Sequence, residues 1–229
     1  QNPNGNHVLQ KCIEFTSKII TSSPDKNEVH GLYAVLDYIV AALQSKAREM
    51  SRNPYGCRVI QRIMEYCTEN QKSQVLIEIR DHFKELIKDQ YGNYVIQHLI
   101  RYGGATDRAS LTKIILTNLV DFLQHKFASN VVEKFLQYTN RFDRDKVIWT
   151  LIKMLFDTPL GVKLGNSILD TMLKNSYANY VIQKVVDVSD TRQREVIVGY
   201  FTENAGHIRK YANGKRIIAH LEKVTGLKF

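Results

Sequence analysis

Cysteine, proline and tryptophan are scarce in this chain: three Cys, four Pro and one Trp are spread over 229 residues. Cys12, Cys57 and Cys67 leave one thiol over and show no metal-ligand spacing, which excludes a disulfide scaffold and points to a reducing compartment. Four prolines and 12 glycines are too few for a collagen-like or linker-rich architecture. No run approaches the roughly 18 apolar residues of a membrane helix, and the opening QNPNGNH has no signal-peptide pattern. Catalytic motifs are missing too. There is no P-loop, no H-E-x-x-H and no G-x-G-x-x-G, the seven His are mostly isolated, and the acidic residues are scattered rather than grouped as a nuclease metal site requires. Cys57 has no assigned base, so it is a poor nucleophile candidate. A non-enzymatic protein without cofactor or metal is expected. Positive charge is in excess: 32 Lys and Arg against 23 Asp and Glu give +9, the balance of a partner for nucleic acid or an acidic membrane surface.

Repetition is present in abundance. The segments NGNHVLQKCI (4–13), YGCRVIQRIM (55–64), YGNYVIQHLI (91–100), FASNVVEKFL (127–136), YANYVIQKVV (177–186) and the weaker NGKRIIAHLE (213–222) are variants of one motif. Their third residues fall at 6, 57, 93, 129, 179 and 215, spaced by 51, 36, 36, 50 and 36. The base period is 36, with insertions read as turn-rich loops near 16–31 and 156–166. Between motifs the apolar residues follow helical spacing, as in Leu76, Ile79, Phe83, Leu86 and Ile87, and in Leu111, Ile114, Ile115, Leu119 and Phe122. Each unit is then a helical hairpin or three-helix layer that buries its stripe only against its neighbours. The expected fold is an all-α solenoid forming a single domain over residues 1–229.

Aligned, the six segments separate packing from chemistry. A small residue (Gly5, Gly56, Gly92, Ala128, Ala178, Gly214) allows close backbone approach, and pairs such as Val95-Ile96 form the buried face. Val8 and Leu9 belong to the same buried pair. Trp149, in the run KVIWTLIKML, and Cys12 are expected in the core; Cys67 carries no functional signal. The other columns vary in chemically interpretable steps. Positions one and five of each motif core lie on one side of a helix: Asn6/Gln10, Cys57/Gln61, Asn93/Gln97, Ser129/Glu133 and Asn179/Gln183. Between them His7, Arg58, Tyr94, Asn130 and Tyr180 are mostly flat groups able to stack on a base, with Asn130 the exception and Arg216 continuing the column in the last motif. Amides at both ends match a uracil edge. Glu133 accepts from the two donors of guanine, and Cys57 leaves room for a purine beside Gln61. The sixth column, Lys11, Arg62, His98, Lys134, Lys184 and then His220, reads as a phosphate track.

These motifs resemble the PUF (Pumilio and FBF) family of RNA-binding proteins. NHVLQ, CRVIQ, NYVIQ, SNVVE and the second NYVIQ are similar to its repeats four to eight, and 215–223 to its C-terminal cap. The resemblance implies a right-handed, crescent-shaped solenoid of Pumilio-type repeats, present here as a partial domain, with further repeats expected upstream. It also implies one base per repeat on an antiparallel single-stranded RNA. Asn6/Gln10 would take U, Cys57/Gln61 A, Asn93/Gln97 U, Ser129/Glu133 G and Asn179/Gln183 U, hence 5′-UGUAU-3′. The implied role is cytoplasmic: binding mRNA 3′ untranslated regions and lowering translation or stability, with deadenylase or repressor proteins on the convex face and the 156–166 loop. Two other binding functions stay open at this point: a ribosome-biogenesis relative binding RNA without sequence preference, and a peptide-binding α-solenoid.

Overall fold

The computed structural model describes residues 3–25, 27, 29–156 and 167–229. Among them every regular element is a helix. The chain divides into two compact units, 1–111 and 112–229.

The first unit opens with α1 (Pro3–Ser22) and α2 (His30–Ala41), then repeats a set of three helices. A short helix, α3 (Ala47–Ser51), leads into α4 (Gly56–Tyr66), which carries the motif, and α5 (Glu69–Asp81) returns outside. The next set is α6 (Phe83–Lys88), α7 (Gly92–Tyr102) and α8 (Ala105–Thr117), the last running past the unit's end. Helices α1, α4 and α7 pack side by side in this unit. The second unit continues with α9 (Leu119–Leu123), α10 (Ala128–Tyr138) and α11 (Arg141–Phe156), then α12 (Ile168–Lys174), α13 (Ala178–Val188) and α14 (Thr191–Ile208), and ends in α15 (Ala212–Thr225). Here α10, α13 and α15 pack in the same side-by-side manner. Each repeat is thus a three-helix layer, and the layers form an α-solenoid.

The apolar stripe accounts for the stacking. Val59-Ile60, Val95-Ile96, Val131-Val132, Val181-Ile182 and Ile217-Ile218 are all buried. Each such side chain contributes about 1.5–3 kcal/mol, well above the tenths available from surface pairs along one helix. Small residues set the entry of each motif helix. A Cβ on Gly56 would stand 2.6 Å from the Met50 carbonyl oxygen, and one on Gly92 2.9 Å from that of Leu86. Gly214 is crowded in the same way by Ile208, and Ala128 and Ala178 are fully buried. For all three glycines the crowding backbone is that of the residue six positions earlier, in the preceding helix.

Four expectations are corrected. Residues 16–31 are not one loop, because α1 continues to Ser22 and α2 starts at His30. Buried Ile13 and Thr16, and the Ser17 hydroxyl donating to the Tyr66 carbonyl at 2.8 Å, hold the extra turns against α4. Val8 and Leu9 are exposed, Val8 by 65%, because no helix among the described residues lies over them. Trp149 is 37% exposed. Ile148, Leu151, Ile152 and Leu155 bury the stripe of α11, and Trp149 is turned about 100° from Ile148, with Arg192 over its ring at 5.6 Å. Cys12 is only half-buried, beside the fully buried Ile13. The apolar run 76–87 also spans two helices, because the chain breaks at His82 (φ −116°, ψ 15°) and all five apolar residues still reach the core. The second insertion lies beyond Phe156, outside the described residues apart from that residue, whose ring stacks on Tyr200 at 4.2 Å.

Candidate nucleic-acid interface

A side-chain acceptor four residues before the first variable position ties down the start of four motif helices, α4, α7, α10 and α13. The Asn53 carbonyl accepts from the N–H groups of Tyr55 and Gly56, both at 2.9 Å. Asp89 does the same for Tyr91 and Gly92 at 2.8 Å, and Asn175 for Tyr177 and Ala178 at 2.8 and 3.0 Å. His125 Nδ1 takes this place before α10, accepting from Phe127 and Ala128. These bonds satisfy orphan donors of the first turn and set the rotation of the helix.

The opposite end has a column of cations fifteen residues after the first variable position. Lys72 is buried and its ammonium donates to the Met64 and Tyr102 carbonyls, both at 3.4 Å. Arg108 donates to Gly103 at 2.6 Å, and Arg194 to Val186 and Ser189. Arg144 is the fourth member by position. Cations at a helix C-terminus satisfy its last carbonyls and oppose its dipole. Part of the positive charge is therefore structural.

Within the motif the columns differ sharply in depth. The first is sunk: Cys57, Ser129, Asn93 and Asn179 are buried, the two amides to 1% and 0% exposure, while Asn6 is half-buried. The second stands out, with Tyr94 48% and Tyr180 53% exposed and His7, Arg58 and Asn130 also open to solvent. The Arg58 guanidinium lies 5.9 Å from the Tyr94 ring centre, so neighbouring members of this column in the first unit already face each other as flat surfaces. In the fifth column Gln10, Gln97, Glu133 and Gln183 are half-buried and Gln61 is buried. The arrangement is a floor of small polar groups between projecting flat side chains, the shape that accepts a base edge-on with stacking on either side.

The floor is chemically differentiated. Gln97 Nε2 donates to Asn93 Oδ1 at 2.9 Å, and Gln183 Nε2 to Asn179 Oδ1 at 3.1 Å. Gln61 has no such acceptor, because Cys57 stands in the first column and its thiol donates to Pro54 at 3.6 Å. The Gln61 Nε2 is buried without a hydrogen-bond partner, as is Asn6 Oδ1. Burial pushes the Cys57 thiol up, so it is a neutral wall rather than a nucleophile. Burial also raises the Glu133 carboxyl, opposed by Lys184 and Lys134. Ser129 Oγ donates to Lys126 at 3.4 Å.

The sixth column is less free than its charges suggest. Lys11 pairs with Glu14 at 3.1 Å, Arg62 with Glu65 at 2.8 Å and Lys184 with Asp187 at 3.4 Å. Lys134 reaches Gln137 at 3.5 Å. In the last motif His220 contacts Asp187 at 2.7 Å. His98 is half-buried and pushed down to about 4 by burial, with Arg62, Arg101 and Arg58 adding to the shift, so it is neutral near pH 7. Aromatic residues four positions on, unnoticed in the ten-residue alignment, back this column. Lys11 lies over Phe15 at 5.6 Å, Arg62 over Tyr66 at 5.7 Å and Lys134 over Tyr138 at 5.5 Å, and His98 stacks on Tyr102 at 5.8 Å. Helical pairs of this kind are worth only about 0.2–0.5 kcal/mol, so a phosphate can displace the carboxylate. No cluster of His, Cys, Asp and Glu able to hold a metal occurs among the described residues, and no helix among them is long and apolar enough to cross a membrane.

The Pumilio-family RNA binding repeat matches this chain at residues 1–19, 46–80, 82–116, 118–152 and 171–199. Pumilio homolog 1 of Xenopus laevis is 42% identical over 71 residues, which make up 31% of this chain and 6% of that protein. The Drosophila melanogaster maternal protein pumilio is 41% identical over 59 residues, 26% of this chain and 4% of that one. Among solved structures, PUF-8 in complex with PBE-RNA superposes with a TM-score of 0.74 at 31% identity, covering 96% of this chain and 68% of that one. The Puf3 RNA binding domain bound to a Cox17 RNA 3′ UTR recognition sequence gives 0.70 at 33% identity, covering 97% of this chain and 60% of that one. The repeat period, the three-helix layers and these matches converge on one conclusion: this chain belongs to the PUF family.

Proposed function

We propose that the chain binds single-stranded RNA sequence-specifically, one base per repeat, with 5′-UGUAU-3′ as its preferred element. Asn179/Gln183 takes the first U, Ser129/Glu133 the G, Asn93/Gln97 the second U, Cys57/Gln61 the A and Asn6/Gln10 the last U. His7, Arg58, Tyr94, Asn130 and Tyr180 line the stacking positions; Lys11, Arg62, Lys134 and Lys184 approach phosphates, with His98 a neutral member of that column. The observation that carries the reading is the buried, unpartnered Nε2 of Gln61. Leaving such a donor unsatisfied costs about 1–3 kcal/mol, which a base acceptor in the floor recovers. The solved relatives, PUF-8 in complex with PBE-RNA and the Puf3 RNA binding domain bound to a Cox17 RNA 3′ UTR recognition sequence, support the same ligand class. The cellular role that follows is cytoplasmic repression or decay of mRNAs carrying such elements in their 3′ untranslated regions, with repressor or deadenylase proteins as partners.

The test is an anisotropy titration at one fixed salt concentration, comparing RNA containing UGUAU with the same RNA carrying ACUAU, since phosphate contacts alone shift affinity steeply with salt. A tenfold or greater preference for UGUAU is expected. Equal binding would replace the reading with non-specific RNA binding along the basic column, and no binding to either would overturn it.

A further inference from the structure

The sixth column and the position three residues after it change together. Lys11 is followed by Glu14, Arg62 by Glu65, Lys134 by Gln137 and Lys184 by Asp187. Each of these cations reaches the side chain one turn on, at 3.1, 2.8, 3.5 and 3.4 Å. In the two motifs where the sixth column is histidine the order is reversed, with Arg101 after His98 and Lys223 after His220. The two histidines are placed differently. His220 meets the Asp187 carboxylate of α13 at 2.7 Å. His98 has the guanidinium groups of Arg62, Arg101 and Arg58 about it, and its ring is uncharged near pH 7. The column pairs of α1, α4 and α13 are therefore neutral, whereas that of α7 carries one positive charge, moved a turn along the helix.

Arg101 is exposed in the last turn of α7, with its guanidinium 5.5 Å from the Tyr102 ring centre. Helix α4, packed alongside, brings Arg58 and Arg62 to the same place. Like charges gathered in this way repel one another, and an anion among them offsets that cost. A guanidinium presents a planar fork of donors that matches two phosphate oxygens at once. We propose that Arg101, together with Arg62 of α4, seats the RNA phosphate that joins the bases read by α7 and α4. The proposal rests on the base-per-repeat reading above, in which that phosphate links the third and fourth nucleotides of UGUAU. It also accounts for the reversal in α7. A lysine at 98 would set a fourth cation beside three arginines, whereas the uncharged imidazole fills the space and leaves the charge to Arg101.

Removing the charge of that one phosphate tests the seat. UGUAU RNA is made with a methylphosphonate, which is uncharged, between its third and fourth nucleotides, and its binding to the unmutated protein and to Arg101→Gln is followed by anisotropy. Each change alone should weaken binding about tenfold at low salt, the scale of one charge-assisted hydrogen bond, and the two together should cost no more than one. A methylphosphonate between the first and second nucleotides should instead add in full to Arg101→Gln. The slope of log affinity against log salt should fall by about 0.7 in Arg101→Gln. It should hold in Arg101→Lys, which keeps the charge, and in Lys113→Gln, a control at an exposed lysine of α8. Full additivity at the third-to-fourth linkage, or an unchanged slope in Arg101→Gln, would overturn the proposal. Lower thermal stability with unchanged binding in Arg101→Gln would assign Arg101 to the dipole at the end of α7 and overturn it equally. If ACUAU RNA binds as well as UGUAU, the base assignment falls, while a slope that depends on Arg101 with both RNAs keeps the phosphate seat.

Discussion

Helices α4 and α7 are neighbours in one unit and nearly the same object. Both begin at a glycine pressed against the preceding short helix, both are tied down by an acceptor four residues before the first variable position, and both bury a Val-Ile pair. In the floor they part at one side chain. Asn93 gives Gln97 a partner, whereas Cys57 leaves Gln61 without one. The apolar stripe and the polar floor therefore occupy separate columns of the same helix, and the floor differs between the two helices while the buried Val-Ile pair is kept.

The comparison can be broken most forcefully in the second unit, where the floor differs at both ends. Ser129→Asn together with Glu133→Gln copies the α7 floor into α10 and should move the preference at the second base from G to U, by roughly 10–100-fold on the scale of about 1–3 kcal/mol for a mispaired buried group. Competition binding with the two RNAs reads the reversal; an unchanged G preference would remove that repeat from the assignment. Cys57→Asn gives α4 the floor pair of α7 with one substitution and should shift the fourth base from A towards U, by about tenfold in the same assay. Tyr94→Ala leaves both floors intact and removes the flat group beside them, so affinity for UGUAU should fall by about 1–3 kcal/mol without a change in base order.

Gly92→Ala tests the feature the two helices share. Its Cβ meets the Leu86 carbonyl oxygen at 2.9 Å, so thermal unfolding should show a loss of about 1–3 kcal/mol while base preference stays constant. The smallest effect is set by pH. Burial raises the Glu133 carboxyl, so it takes up a proton at a higher pH than an ordinary glutamate, and the protonated form is a poorer acceptor for guanine. Preference for G at the second base should weaken severalfold as pH falls through that raised range. The U preferences of Gln97 and Gln183, which carry no titrating group, should hold. Titrations at stepped pH and constant salt would separate the two, and a G preference indifferent to pH would argue against an ionised Glu133.

The repeat, the helical layers and the variable columns were all visible in the six aligned segments, because a solenoid samples one structural position many times within a single chain. The caps at Asn53, Asp89, His125 and Asn175 and the cations at Lys72, Arg108 and Arg194 recur at the same period. They lie four residues before and fifteen after the first variable position, outside a ten-residue alignment. A wider one would have exposed both columns. Trp149 misled for a different reason: its neighbours in sequence are apolar, but they belong to a stripe from which it is rotated by a third of a turn. The sixth column was legible as a row of cations, but not its pairing: Arg62 and Lys184 each meet a carboxylate three residues on.

Periodicity and residue type by themselves determined the architecture, the family resemblance and the ten side chains of the floor. Such patterns follow from local geometry, where a helix of 3.6 residues per turn places positions one and five on the same side. Tertiary structure alone decided depth and satisfaction. The first column is sunk because a short helix presses against each motif helix at its small residue. His98 is neutral because neighbouring side chains exclude water and three arginines surround it. Gln61 is orphaned and Gln97 is not, because a hydrogen bond depends on where an acceptor ends up in space, a quantity set by packing rather than by residue type.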